Sequence, residues 1–135
     1  MTLAEKQQQL VDDLAIIPDP HERLAAVVDR AKRLPPLADT ERTDTHRVRG
    51  CISQVWLVAD QRDGRLFFRC DADSPLVKGL VHCLAEFFSD ATPAEIAASD
   101  ADPLVALDLV RNLSPTRKNG LGAVRARIRE IAQAS

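Results

Sequence analysis

A chain of 135 residues, 45% hydrophobic and 28% charged, is long enough to bury a core and has the composition of an ordinary globular protein. Its net charge of −2 and pI near 5.9 point to neither nucleic acid nor a membrane surface. No apolar run nears the roughly 18 residues of a membrane span, and the opening MTLAEKQQQL lacks a signal-peptide core. Three cysteines, Cys51, Cys70 and Cys83, are an odd set that argues against a disulfide framework. The expectation is therefore a single cytoplasmic domain over residues 1–135, monomeric by default.

The element signals begin with two helices, near 3–15 and 20–33. Thr2 and Glu5 spell a capping box, and Asp19-Pro20 reads as an N-cap followed by proline at the first helical position, with Glu22 placed to complete a second box. Leu24, Val27, Val28 and Ala31 hold helical spacing until Pro35-Pro36 stops the pattern. Residues 37–46 are polar and read as a connecting loop. The period then changes. Val55, Leu57 and Ala59 alternate with Gln54, Trp56 and Val58; Gln61-Arg62-Asp63-Gly64 is a turn signal; Leu66, Phe68 and Cys70 alternate again. This is a β-hairpin, with a third strand expected before Cys51.

Helices resume after Ser74-Pro75. Val77, Leu80, Val81, Leu84, Phe87 and Phe88 make the wide apolar stripe of a buried helix. Thr92-Pro93, with Glu95 three residues past the cap, and Asp102-Pro103 start shorter helices near 93–98 and 103–111. Ser114-Pro115 is a further cap of this form, and a last helix is expected from about 116 or 119 to 133. The sum is an α+β domain, a small antiparallel three-stranded sheet with helices packed on one face.

Charge is uneven along the chain. Residues 111–135 carry six basic side chains against one acid, a net of +5, which leaves residues 1–110 at −7. A solvated basic helix face accounts for this, and so does a basic edge meeting an acidic partner.

Three thiols carry the possible chemistry. Cys51 stands in Arg49-Gly50-Cys51-Ile52-Ser53-Gln54, where the loop meets the strand. Gly50 opens backbone angles denied to other residues, and Arg47 and Arg49 are placed to favour a thiolate. Packing remains the plain reading of any lone cysteine. It fits Cys83, inside the apolar helix, and Cys70, at the end of the second hairpin strand. His21, His46 and His82 form no metal spacing with the cysteines, so no metal is expected. A thiol hydrolase or transferase pairing Cys51 with His46 is an alternative, as is a binding module built on the basic terminal helix.

Three blocks resemble, in order and spacing, the SufE family. They are Val48-Arg49-Gly50-Cys51-Ile52-Ser53-Gln54-Val55-Trp56-Leu57, then Asp71-Ala72-Asp73-Ser74-Pro75-Leu76-Val77-Lys78-Gly79-Leu80, then Leu113-Ser114-Pro115-Thr116-Arg117-Lys118-Asn119-Gly120-Leu121. Arg33-Leu34-Pro35 looks like that family's R-L-P. The resemblance implies a SufE/NifU-like fold and a carrier role. Such proteins take sulfane sulfur from a cysteine desulfurase of the SufS/Csd type, stimulate that enzyme and pass sulfur toward an iron–sulfur scaffold. The acceptor falls on Cys51, with Arg117 and Asp73 as helpers and Gly50, Ser53, Gln54, Trp56, Lys78 and Asn119 shaping the pocket or docking edge. No resident cofactor is implied, since pyridoxal phosphate belongs to the desulfurase. Where relatives often have glycine before D-x-D, this chain has Cys70, a thiol that would resolve a Cys51 persulfide if it lay near.

Overall fold

The computed structural model describes residues 2–50 and 53–135. Cys51 and Ile52 lie outside the described residues.

Five helices start as their sequence signals require. Helices α2 (Pro20–Lys32), α3 (Pro75–Phe88), α4 (Pro93–Ala98), α5 (Pro103–Ala106) and α6 (Pro115–Ala134) each have proline in the first turn. The side chain of the preceding Asp, Ser or Thr accepts a backbone N–H of that turn. Helix α1 (Leu3–Leu14) carries the full Thr2/Glu5 capping box. The other two expected boxes are half-formed. Asp19 accepts from His21 N–H and Thr92 from Glu95 N–H, without the returning glutamate bond.

Strands β1 (Val55–Arg62) and β2 (Arg65–Ala72) form an antiparallel hairpin with Leu57 opposite Cys70 and Trp56 opposite Asp71. Asp63 (φ 53°) and Gly64 (φ 75°) make its two-residue turn, the Asp-Gly combination that left-handed turn positions favour. One face, with Val55, Leu57, Leu66, Phe68, Cys70 and Ala72, joins the core around α3. Helix α3 is the centre of that core, packing against β2, α2, α5, α6 and α1. The expected helix-on-sheet layering holds.

The third strand does not form among the described residues. The chain before Cys51 touches β1 as an isolated bridge, Arg47 to Trp56. Two hydrogen bonds hold it there, Val48 N–H to Val55 O at 2.8 Å and Leu57 N–H to His46 O at 2.8 Å. Turn bonds from His46 to Thr43 and from Arg47 to Asp44 end the extended run upstream, and Gly50 at φ 93° ends it downstream. Residues 34–50, here called the arm, instead bury Val48 in the core and, upstream of it, lie against the hairpin face that carries Arg69 and Asp71. There Arg69 pairs with Glu41 at 2.6 Å and Asp71 accepts from Leu37 N–H at 3.1 Å.

Helix α5 is shorter than the expected 103–111. Asp108 takes φ 57°, and Leu109 N–H reaches back to Leu104 O at 2.9 Å, the bond of a Schellman stop with aspartate in the place glycine usually holds. Helix α6 buries Gly120, Leu121, Val124, Ile128 and Ala132 along one stripe against α4 and α3. Among the described residues no helix is long and apolar enough to cross a membrane.

Candidate functional site

The open end of the hairpin, α3 and the start of α6 enclose a pocket of about 340 Å³. Its floor is apolar: Val77, Leu80 and Val81 come from α3, and Leu121 and Val124 from α6. Its rim is polar, with Ser53, Ser114, Thr116 and Arg117. The floor follows from two helical stripes that meet here. The rim follows from the α6 N-cap, where Ser114 Oγ accepts Arg117 N–H at 3.2 Å and the backbone dipole presents its positive end.

Of the residues that flank positions 51 and 52 in the chain, one lines this pocket and the other packs on α6. Ser53 is part of the lining. Gly50 presses against α6 so closely that a Cβ built on it would lie 3.2 Å from Ala123 Cβ. Glycine is thus needed twice, for its positive φ and for the close approach.

The other residues named from sequence divide into groups. Arg117 lines the rim, is exposed, and has no side-chain ion pair or hydrogen bond among the described residues, Asp73 included. Asp73 is exposed, and its N–H donates to Gln54 O at 3.1 Å, which joins these two at the hairpin's open end. Trp56 is half-buried in β1 between Arg47 and Asp71. Lys78 faces inward, its side chain 17% exposed and its ammonium 3.6 Å from Asp71. Asn119 is exposed on α6, outside the pocket lining.

Cys70 and Cys83 are largely buried, and burial pushes both thiols up to about 12. Both pack against the core, as the plain reading of each holds. His46 Nδ1 contacts Glu41 O at 2.8 Å, and His82 pairs with Glu86 at 3.0 Å. Among the described residues no group of three His, Cys, Asp or Glu side chains is placed to hold a metal ion.

The basic C-terminal run is mostly occupied within the chain. Arg125 pairs with Asp102, Arg129 with Asp100 and Ser99 O, Arg127 with Glu130, and Arg111 with Asp108. Arg117 and Lys118, at the start of α6, keep their side chains free among the described residues.

Asp71 was not among the residues marked by the sequence. It is buried, and it gathers Leu37 N–H, Arg42 and Lys78. Its place as the first acid of D-x-D was visible; its partners in the arm, 34 and 29 residues upstream, were not.

The described residues form a small α+β domain with an apolar pocket between α3 and the start of α6. Residues 8–132 match the SufE family, described as an Fe-S metabolism associated domain. The chain belongs to the SufE family. An uncharacterized SufE-like protein of Rhizobium etli is 39% identical over 130 residues, covering 93% of this chain and 88% of that protein. A SufE-like protein of Synechocystis is 34% identical over 119 residues, 88% of this chain and 75% of its own length. The solution structure of a hypothetical protein from Thermus thermophilus shares the fold, with a TM-score of 0.75 at 20% identity, covering 96% of this chain and 94% of that one.

Proposed function

We propose that this protein is a sulfur acceptor and carrier in iron–sulfur metabolism, with Cys51 as the acceptor. The thiolate of Cys51 attacks the outer sulfur of a persulfide on a cysteine desulfurase. A new S–S bond forms on Cys51, the bond within the partner's persulfide breaks, and the partner's cysteine leaves as thiolate. Removing the persulfide product stimulates the desulfurase, and the loaded carrier passes its sulfur toward an iron–sulfur scaffold. The carrier itself needs no cofactor for this exchange.

The observation that carries the reading is the pocket, apolar on its floor and lined by Ser53, the residue that follows the Cys51–Ile52 pair, while Gly50, which precedes the pair, packs on α6. A persulfide held in such a space is shielded from other thiols and from water-borne reductants. The cationic rim suits its anionic form. Arg117, unpaired among the described residues, is left for a carboxylate of the desulfurase. The family assignment and the burial of the other two thiols support the same reading.

Incubation with a cysteine desulfurase and free cysteine, followed by intact-mass measurement, tests it. The wild-type chain gains one sulfur mass and Cys51→Ser gains none. A Cys51/His46 hydrolase would act on its substrate without any desulfurase and would lose activity on removal of His46.

A further inference from the structure

Asp71 is the buried charged side chain among the described residues, at 5% exposure, and the proposed chemistry has no direct use for it. A carboxylate so placed is costly unless donors surround it. Its donors come from two separate parts of the chain. From the arm, Leu37 N–H lies 3.1 Å away and Arg42 Nη1 3.4 Å away. From α3, Lys78 Nζ lies 3.6 Å away. Ala72 N–H completes the set at 2.9 Å.

These two parts are the two halves of the candidate site. The arm runs on through His46 and Val48 to Gly50, the residue before Cys51. Helix α3 supplies Val77, Leu80 and Val81 to the pocket floor, and Val77 is the immediate neighbour of Lys78. Near its end the arm is tied to β1 by two backbone hydrogen bonds around its bridge, with Val48 buried beside them, and further upstream Asp71 holds the same segment through Leu37 and Arg42. Asp71 also lies opposite Trp56, which in turn bridges Arg47 of the arm. Arm, β1, β2 and α3 are therefore referenced to a single carboxylate.

We propose that Asp71 is a positioning residue. It sets the arm, and hence the chain that leads into Cys51, in register with the pocket on α3, and so governs the rate at which Cys51 receives sulfur. The inference rests on the sulfur-acceptor reading.

The test is single-turnover transfer from a persulfide-loaded desulfurase, followed by mass, for wild type, Asp71→Asn, Arg42→Gln and Arg42→Lys, with the fold checked by circular dichroism at the assay temperature. Asparagine keeps the size and an acceptor for Leu37 N–H but loses the charge that holds Arg42 and Lys78. Transfer at saturating desulfurase is expected to slow roughly ten- to hundredfold in Asp71→Asn, the scale of rate loss that small misplacement produces. The half-saturating desulfurase concentration should not change, Arg42→Gln should share the loss, and Arg42→Lys should recover most of it. A folded Asp71→Asn that transfers at the wild-type rate overturns the proposal. Should Asp71→Asn fail to fold, Arg42→Gln decides, since the Arg42 side chain is 32% exposed. Slowed transfer with the fold intact supports positioning, and the wild-type rate overturns it. A wild-type chain that takes up no sulfur sinks the acceptor reading itself, a result distinct from all of these.

Discussion

At the scale of single residues, two of the three thiols are packed away against the core. Burial lifts Cys70 and Cys83 to about 12, so at pH 8 only about one in ten thousand of each is thiolate, the form that reacts. Alkylation of the native protein at that pH should therefore modify Cys51 fast and the other two only after unfolding. Peptide mapping that found Cys70 or Cys83 labelled as fast as Cys51 would contradict this. The same burial argues against Cys70 as a resolving thiol. Arg117 stands differently: exposed, on the rim, and unpaired among the described residues. Its replacement by alanine should raise the carrier concentration needed for half-maximal desulfurase stimulation several-fold, with a weaker salt dependence than wild type, since rim charges act mainly on association. Unchanged stimulation would remove the role.

At the scale of elements, helix α2 lies on α3 across Gly79. A Cβ there would stand 2.9 Å from Val28 Cα, a clash with backbone that no rotamer relieves. Gly79→Ala should destabilise by about 1–3 kcal/mol, read as a lower urea midpoint, and an unshifted midpoint would show that the helices part freely. The arm gives a pH signature. The side-chain hydrogen bond from Arg69 holds the Glu41 carboxyl below its ordinary value of 4.5. The folded state thus binds fewer protons than the unfolded one just below that value. The contribution is complete above it and is lost as pH falls through the lower folded-state value. Melting temperatures should drop more steeply for wild type than for Glu41→Gln as the buffer is taken from about pH 5 to about pH 3. Parallel curves would place the arm's hold elsewhere.

These elements also separate what sequence reveals from what it hides. The five Xaa-Pro caps and the Asp63-Gly64 turn are local signals, and each structure follows them. The stop of α5 was illegible because Asp108 adopts a left-handed angle where glycine is the usual sign. The third strand, which does not form among the described residues, and the Asp71 hub share another cause. Both depend on how the arm meets residues far along the chain, and no spacing rule within the arm encodes that.

At the scale of the whole molecule, the net positive C-terminal stretch first suggested a charged face. Its arginines instead clamp the segment around Asp100 and Asp102 or pair with an acid three residues away, and among the described residues Arg117, on the pocket rim, and Lys118, next to it in the chain, remain free. Within the C-terminal run the free positive charge is thus narrowed to the start of α6, where Arg117 meets the rim of the apolar-floored pocket. That combination of a greasy floor and a cationic lip fits the shelter of a small, polarisable anion such as a persulfide.

The most direct measurement supplies sulfur-labelled cysteine to a desulfurase in the presence of this protein and locates the label by peptide mapping without reductant. The account expects one labelled sulfur atom per chain, on the peptide holding Cys51, released by reductant and absent from Cys51→Ser. Label on Cys70 or Cys83, or none on the protein while the desulfurase turns over, would contradict it.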